Sequence, residues 1–180
     1  LSRGTTWTPV YVALGSNLND PHAQVERAIA KLKRYPQVSA FRASTAVESA
    51  PVGYLDQPSF INAVVGFLTV WSLRDTHNVL KTIESELGKI PPKERFGPRT
   101  IDLDLLMYGR VKSEDPELLL PHPRLHERIF VLYPLASIAP ELRVGGGRSV
   151  SEWLNALPPD AWSGFRDLGV PLGNGSALKG

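Results

Sequence analysis

The stretch Gly97-Pro98-Arg99-Thr100-Ile101-Asp102-Leu103-Asp104-Leu105-Leu106-Met107-Tyr108-Gly109 constrains this chain more than any other. After the Gly-Pro turn pair, apolar and acidic residues alternate. Ile101, Leu103 and Leu105 point one way; Asp102 and Asp104 point the other. A period of two means a strand with one apolar face. The fold must therefore contain a sheet that buries this face while the other presents two carboxylates. Such a pair repels unless cations bind between and beside it. Mg²⁺ fits, because it takes one or two carboxylates together with substrate phosphates. Arg99 adds a planar fork for a phosphate or carboxylate. On its own an Asp-x-Asp also fits a solvated strand. The adjoining Gly-Pro-Arg and a second, distant cluster shift the reading toward a metal–phosphate site.

The rest of the chain supplies elements for that sheet. Val10-Tyr11-Val12-Ala13-Leu14 reads as a central strand, apolar on both faces, ending in the turn Gly15-Ser16-Asn17. Asp20 is placed as an N-cap with Pro21 at the first helical position. Val25, Ala28, Ile29 and Leu32 then mark one amphipathic helix, ending before Pro36. Residues 38–48 read as a second strand and residues 59–71 as a long third, joined by a Pro- and Gly-containing loop. Ser72 to Asp75 resembles a capping box, and Thr76, Val79, Leu80, Ile83 and Leu87 form the next apolar stripe. Gly88 is placed to end that helix.

The segment 89–96 has no periodicity and reads as a basic loop stiffened by Pro91 and Pro92. Beyond the Asp strand, Pro121 and Pro123 hold His122 extended. A helix follows with Ile129, Leu132 and Tyr133 inward, and Ser149 or Ser151 starts a last short helix. The order strand, helix, strand, strand, helix, strand predicts an α+β, ferredoxin-like sheet with helices on one face and C-terminal additions. The expected organisation is a leader at 1–8, a catalytic domain at 9–157 and a loosely ordered tail at 158–180.

Composition excludes several functions. The chain has 180 residues, 42% of them apolar, which suits one globular domain. No apolar run is long enough to cross a membrane. Zero Cys excludes disulfides, thiolate metal sites and a Cys nucleophile, and fits a reducing cytoplasm, the expected location. With 20 basic and 18 acidic residues, the net charge is only +2, sparse for a nucleic-acid binder.

Arg95, Arg99, Arg124 and Arg128, with Lys89 and Lys93, gather in sequence around the Asp strand and suit a polyphosphate bound through Mg²⁺. Phe60 and Asn62 share a strand face, so a ring and an amide can meet one flat heterocycle. A nucleoside triphosphate plus a planar second substrate follows.

These words together resemble the 6-hydroxymethyl-7,8-dihydropterin pyrophosphokinases. The resemblance rests on Ala13-Leu14-Gly15-Ser16-Asn17, Asp56-Gln57-Pro58, Phe60-Ile61-Asn62-Ala63, Arg95 through Asp104, and Pro121-His122-Pro123 with Arg128-x-Phe130. It covers roughly residues 9–145. It implies ATP-dependent transfer of diphosphate to the pterin hydroxymethyl group in folate biosynthesis, with release of AMP. Asp102 and Asp104 would then hold two Mg²⁺ ions. Arg99 and His122 would contact phosphates, with Lys89 and Arg95 on the ATP side, and Arg128 would stabilise charge as the bridge to AMP breaks. Phe60 and Phe130 would sandwich the pterin, whose edge pairs with Asn62 and with backbone groups of Ser49 and Val52. Leu105 and Leu118 would flank the adenine. Partners would be ATP and the pterin, not nucleic acid or membrane, with fusion to another folate enzyme allowed.

Two departures stand out. The family's loop often carries two Arg residues where this chain has Lys89 and Pro91, and often Trp where Phe96 stands. Other classes fit parts of the pattern: another Mg²⁺-dependent nucleotidyl or phosphoryl transferase, an inactive pterin- or nucleotide-binding relative, or an RNA-binding module. The last would need paired aromatics in a basic strand word, and the strand carries two acids instead.

Overall fold

The computed structural model describes residues 4–173. Its centre is β1 (Thr8–Ser16), flanked by β5 (Asp102–Tyr108) and β4 (Phe60–Thr69). β4 in turn pairs with β2 (Val38–Ala43) near one end and β3 (Thr45–Ser49) near the other. A separate short hairpin joins β6 (Arg143–Val144) to β7 (Arg148–Ser149), and β8 (Phe165–Pro171) closes the far edge on β3. The order is β5-β1-β4-β3-β8, and the pairings are antiparallel.

The helices start where the sequence places them. α1 (Pro21–Lys33) is capped by Asp20, whose carboxylate accepts from Ala23 N, with Pro21 in the first turn. α2 (Leu73–Glu86) is capped by Ser72, which accepts from Asp75 N at 3.1 Å. Gly88, at φ +80°, follows its C-terminus, a conformation that costs glycine little. Both helices pack on the face formed by Val10, Val12, Leu14, Val65, Leu103 and Leu105. α3 (Ile129–Ile138) and α4 (Val150–Asn155) cover the opposite face, where Tyr11, Ala13, Val64 and Leu106 meet Val131, Leu132 and Leu135. Helices therefore lie on both faces, not one. The second layer follows from β1 and β4 being apolar on both sides.

Two further expectations change. Residues 38–48 form two strands, not one. Ala40 sits at φ +50°, the register on β4 shifts between Ser39 and Arg42, and Ser44 Oγ then accepts from Val64 N at 3.0 Å. The side chain of Ser44 takes over a ladder position and starts β3 afresh.

The segment 158–173 is not a loose tail. A 3-10 turn at Pro159–Trp162 leads into β8, and Leu172 is buried. Gly169 and Pro171 hide the strand period, and both are tolerated because β8 is an edge strand with a register shift against β3. The expectations for residues 1–3 and 174–180 lie outside the described residues.

Candidate active site

Strand register builds the site. Asp102 and Asn62 both pair with Gly15, so one row runs Asp102, Gly15, Asn62 and Val47 across four strands. The next row places Asp104 beside Ala13. Neighbouring strands are about 4.8 Å apart, so the carboxylates and the amide face one shallow floor. Gly15 and Ala13 leave that floor open. A Cβ on Gly15 would already stand 3.0 Å from Asn62 Oδ1.

The resulting cavity, about 770 Å³ with its open mouth, gathers most of the expected residues. Ser49, Val52, Phe60, Asn62 and Phe130 line one part, and Arg99, Asp102, Asp104, His122 and Arg128 the other. Phe96 also lines it. Asn62 Nδ2 donates to Ser49 Oγ at 2.7 Å, which fixes the amide against β3. A second cavity lies across the β5 edge, lined by Leu105, Leu118, His77 and Lys81 among others. Asp104 and His122 line both cavities.

The two carboxylates are treated very differently. Asp102 Oδ1 takes Lys89 Nζ at 2.6 Å and its Oδ2 takes Arg99 Nη1 at 2.6 Å. Burial works to raise the Asp102 pKa, yet Lys89 and Arg99 outweigh it and hold the carboxyl below the usual range. Asp104 receives no hydrogen bond among the described residues. Burial, then the charge of Asp102, push its pKa up. One acid is neutralised by protein cations; the other lacks a cation in contact. That imbalance suits a cation delivered with the substrate. Among the described residues no cluster of three or more His, Cys, Asp or Glu forms a ready-made cage. A pair of carboxylates completed by phosphate oxygens is the arrangement Mg²⁺ accepts.

His122 is held neutral. Burial, then Arg128 and Arg124, lower its pKa to about 4. Its Nδ1 accepts from Arg124 N at 3.2 Å, which assigns the proton to Nε2 as a donor. Arg128 stands 5.6 Å from the Phe130 ring centroid, linking the charged and aromatic parts.

Two expected ATP-side residues are not in either cavity wall. Lys89 sits on Asp102 and on Glu84, the latter at 3.0 Å. Arg95 stacks over Phe96, 4.9 Å from its centroid.

Sequence reasoning missed Glu84 altogether. It is 3% exposed, and its Oε1 accepts from Leu103 N at 2.7 Å. Glu84 thereby caps the free edge of β5 between the two Asp residues while it holds Lys89. Its only signal was an acid one residue after the apolar Ile83. Truncating it strands a buried N–H, so Glu84→Ala should lose roughly 1–3 kcal/mol of stability. Glu84→Gln keeps the acceptor and should lose less. Urea denaturation of the two variants checks this; equal midpoints would reject the capping role.

Asn17, a turn residue by its sequence, does more. It is buried and ties three loops together. Its Oδ1 accepts from Arg99 N at 2.8 Å, and its Nδ2 donates to Gln57 Oε1 and to Pro58 O. Gln57 Nε2 continues to Phe96 O at 2.8 Å.

Comparison with known proteins identifies the family. Residues 11–140 match the family model described as 7,8-dihydro-6-hydroxymethylpterin-pyrophosphokinase (HPPK). The 2-amino-4-hydroxy-6-hydroxymethyldihydropteridine pyrophosphokinase of Pseudomonas aeruginosa is 42% identical over 149 residues, covering 83% of this chain and 91% of that one. The protein of the same name from Bacillus subtilis is 40% identical, covering 73% and 78%. A solved Plasmodium falciparum HPPK-DHPS structure superposes with a TM-score of 0.64 at 15% identity. It shares the fold over 86% of this chain, which spans 45% of the Plasmodium one. The matched residues include Phe60, Asp102, Asp104, His122 and Phe130, and with these identities and coverages the chain belongs to the 7,8-dihydro-6-hydroxymethylpterin-pyrophosphokinase family.

Proposed function

We propose that this chain is an enzyme that transfers diphosphate from ATP to 6-hydroxymethyl-7,8-dihydropterin and releases AMP, a step of folate biosynthesis. The observation that carries this reading is the shared wall. Asp104 and His122 border both cavities, so a triphosphate can cross from one to the other. The pterin belongs in the first cavity, between Phe60 and Phe130, with Asn62, Ser49 and Val52 at its edge. Adenine belongs in the second, flanked by Leu105 and Leu118.

The products fix the bond changes. The hydroxymethyl oxygen bonds to the β-phosphorus, and the bond from that phosphorus to the oxygen shared with the α-phosphorus breaks. AMP leaves with that oxygen, and the hydroxyl proton is released. Negative charge grows on the leaving oxygen. Arg128, on the first cavity wall, is assigned to stabilise it. Arg99 and the His122 Nε2–H are assigned to phosphate oxygens. Two Mg²⁺ ions bound by Asp102 and Asp104 together with the phosphates would neutralise the triphosphate. For that, Arg99 and Lys89 must give up Asp102, and the same motion turns both cations toward the phosphates. Lys89 and Arg95 then act from the 89–96 loop.

The strand order supports the ferredoxin-like reading once β2 and β3 count as one strand. The domain reading of 9–157 extends to include β8. The HPPK-DHPS name of the Plasmodium protein supports fusion to another folate enzyme as a context for such a chain. A cytoplasmic site is part of the proposal; among the described residues no helix is long and apolar enough to cross a membrane.

The deciding experiment is AMP formation from ATP and Mg²⁺, with and without the pterin. Pterin-dependent AMP release is expected. Its absence would favour the inactive binding relative, and ADP as product would favour another phosphoryl transferase. A second expectation concerns the loop. Lys89→Ala should lower kcat more than it raises the KM for ATP, because the lysine reaches phosphate only after leaving Asp102. A pure KM effect would place Lys89 in ground-state binding.

A further inference from the structure

The segment that follows α4 lies beyond the matched residues 11–140, yet it touches the wall of the first cavity. Ala50 N donates to Gly164 O at 3.0 Å, and Ser49 pairs with Phe165. Ser49 and Ala50 both line that cavity. The same segment reaches α3, the helix that carries Phe130. Tyr133 packs against Phe165 at 5.0 Å between centroids, and its hydroxyl donates to Asp167 at 3.0 Å. Asp167 also accepts from Thr45 Oγ1 at 3.2 Å. One short strap thus joins β3, which carries Ser49 on the cavity wall, to α3, which carries Phe130.

Its tightest point is Gly164. This residue has φ +68°, and a Cβ built there would lie 2.7 Å from Ala50 Cβ. Ordinary contact begins at 3.4 Å, so any side chain must push Ala50 or distort the strap. Ala50 is itself part of the cavity lining.

We propose that the strap from Trp162 to Asp167 sets the width of the pterin slot, with Gly164 and Asp167 as positioning residues that never touch the substrate. This rests on the reading of the first cavity as the pterin slot. Gly164 meets Ala50, and Asp167 holds Thr45 and Tyr133 besides the N–H of Gly169, so their effect falls on the pterin and spares ATP.

The test is steady-state kinetics of Gly164→Ala, with AMP release as readout and the melting temperature as control. The KM for pterin should rise about tenfold while the KM for ATP stays within about twofold, since a displaced wall misplaces one substrate only. Pairing it with Ala50→Gly removes the opposing Cβ and should restore the pterin KM to that of Ala50→Gly alone. Tyr133→Phe deletes one hydroxyl and introduces no clash, so it covers the case in which Gly164→Ala does not fold. Its pterin KM should rise roughly threefold. A lowered melting temperature with both KM values native, in either variant, would make the strap a mere brace and overturn the proposal. Equal rises in both KM values would do the same. If the wild-type chain itself releases no AMP with pterin, the slot reading falls, and this proposal with it.

Discussion

Asp104→Asn is expected to reduce turnover by about 10³-fold or more while the protein stays folded, the scale of losing a preorganised charge at a phosphoryl centre. Asp104 is half-buried and receives no hydrogen bond or ion pair among the described residues, so no contact of the metal-free fold depends on its charge. The sign of the stability change follows from its titration. Burial and Asp102 raise the folded-state pKa above the unfolded value near 3.8. The folded protein then binds more protons than the unfolded chain, and stability falls as pH rises through that window. Asparagine removes the penalty. The variant should match wild type well below pH 3.8 and be the more stable of the two above the raised pKa, without Mg²⁺. With Mg²⁺ and ATP the order reverses, because only wild type gains from ligand binding. Urea melts across pH, with and without Mg²⁺-ATP, check both halves. Near-normal turnover at saturating Mg²⁺ would remove the metal assignment.

The elements that could be read from sequence are those whose chemistry repeats locally. Asp102 and Asp104 announce their strand by period. Asp20 and Ser72 announce helix starts because a short side-chain oxygen must satisfy an orphan N–H. The cavity lining was legible for a related reason: Phe60, Asn62 and the Asp pair occupy single strand faces, and register between strands does the rest. What stayed hidden depends on long-range geometry. Glu84 reads as an ordinary helix acid until α2 is laid against the β5 edge. Asn17 reads as a turn residue until three loops converge on it. β8 carries no clean alternation, since Gly169 adopts positive φ within it and the strand is defined by Ser49 and Val47 opposite it. The second helical layer was missed for the opposite reason: an all-apolar strand says that both faces are covered without saying by what.

Phe130→Ala is expected to weaken pterin binding by roughly tenfold to a hundredfold, because stacking on one aromatic is worth about 1–3 kcal/mol and about 1.4 kcal/mol is a factor of ten. Phe130 and Phe60 line the same cavity from α3 and β4. Phe130 is half-buried, whereas its neighbours Val131 and Leu132 fill the core beneath α3. A half-buried ring that lines a cavity is available for stacking in a way those neighbours are not. The competing account makes Phe130 a core residue that happens to border a cavity. It predicts a large loss of stability and unchanged pterin affinity in the protein that remains folded. Fluorescence titration with the pterin, alongside urea denaturation, separates the two. ATP binding alone should hold within about twofold, since the second cavity does not include Phe130. Phe130→Tyr should be mild. Asn62→Ala provides contrasting chemistry: it leaves edge groups of a buried heterocycle unpaired, at roughly 1–3 kcal/mol, and should relax discrimination among pterin analogues. Phe130→Ala should weaken every analogue alike, because a ring face does not read the edge. If Phe130→Ala instead discriminates among analogues and Asn62→Ala does not, the pterin lies in another orientation and Asn62 is not its edge contact.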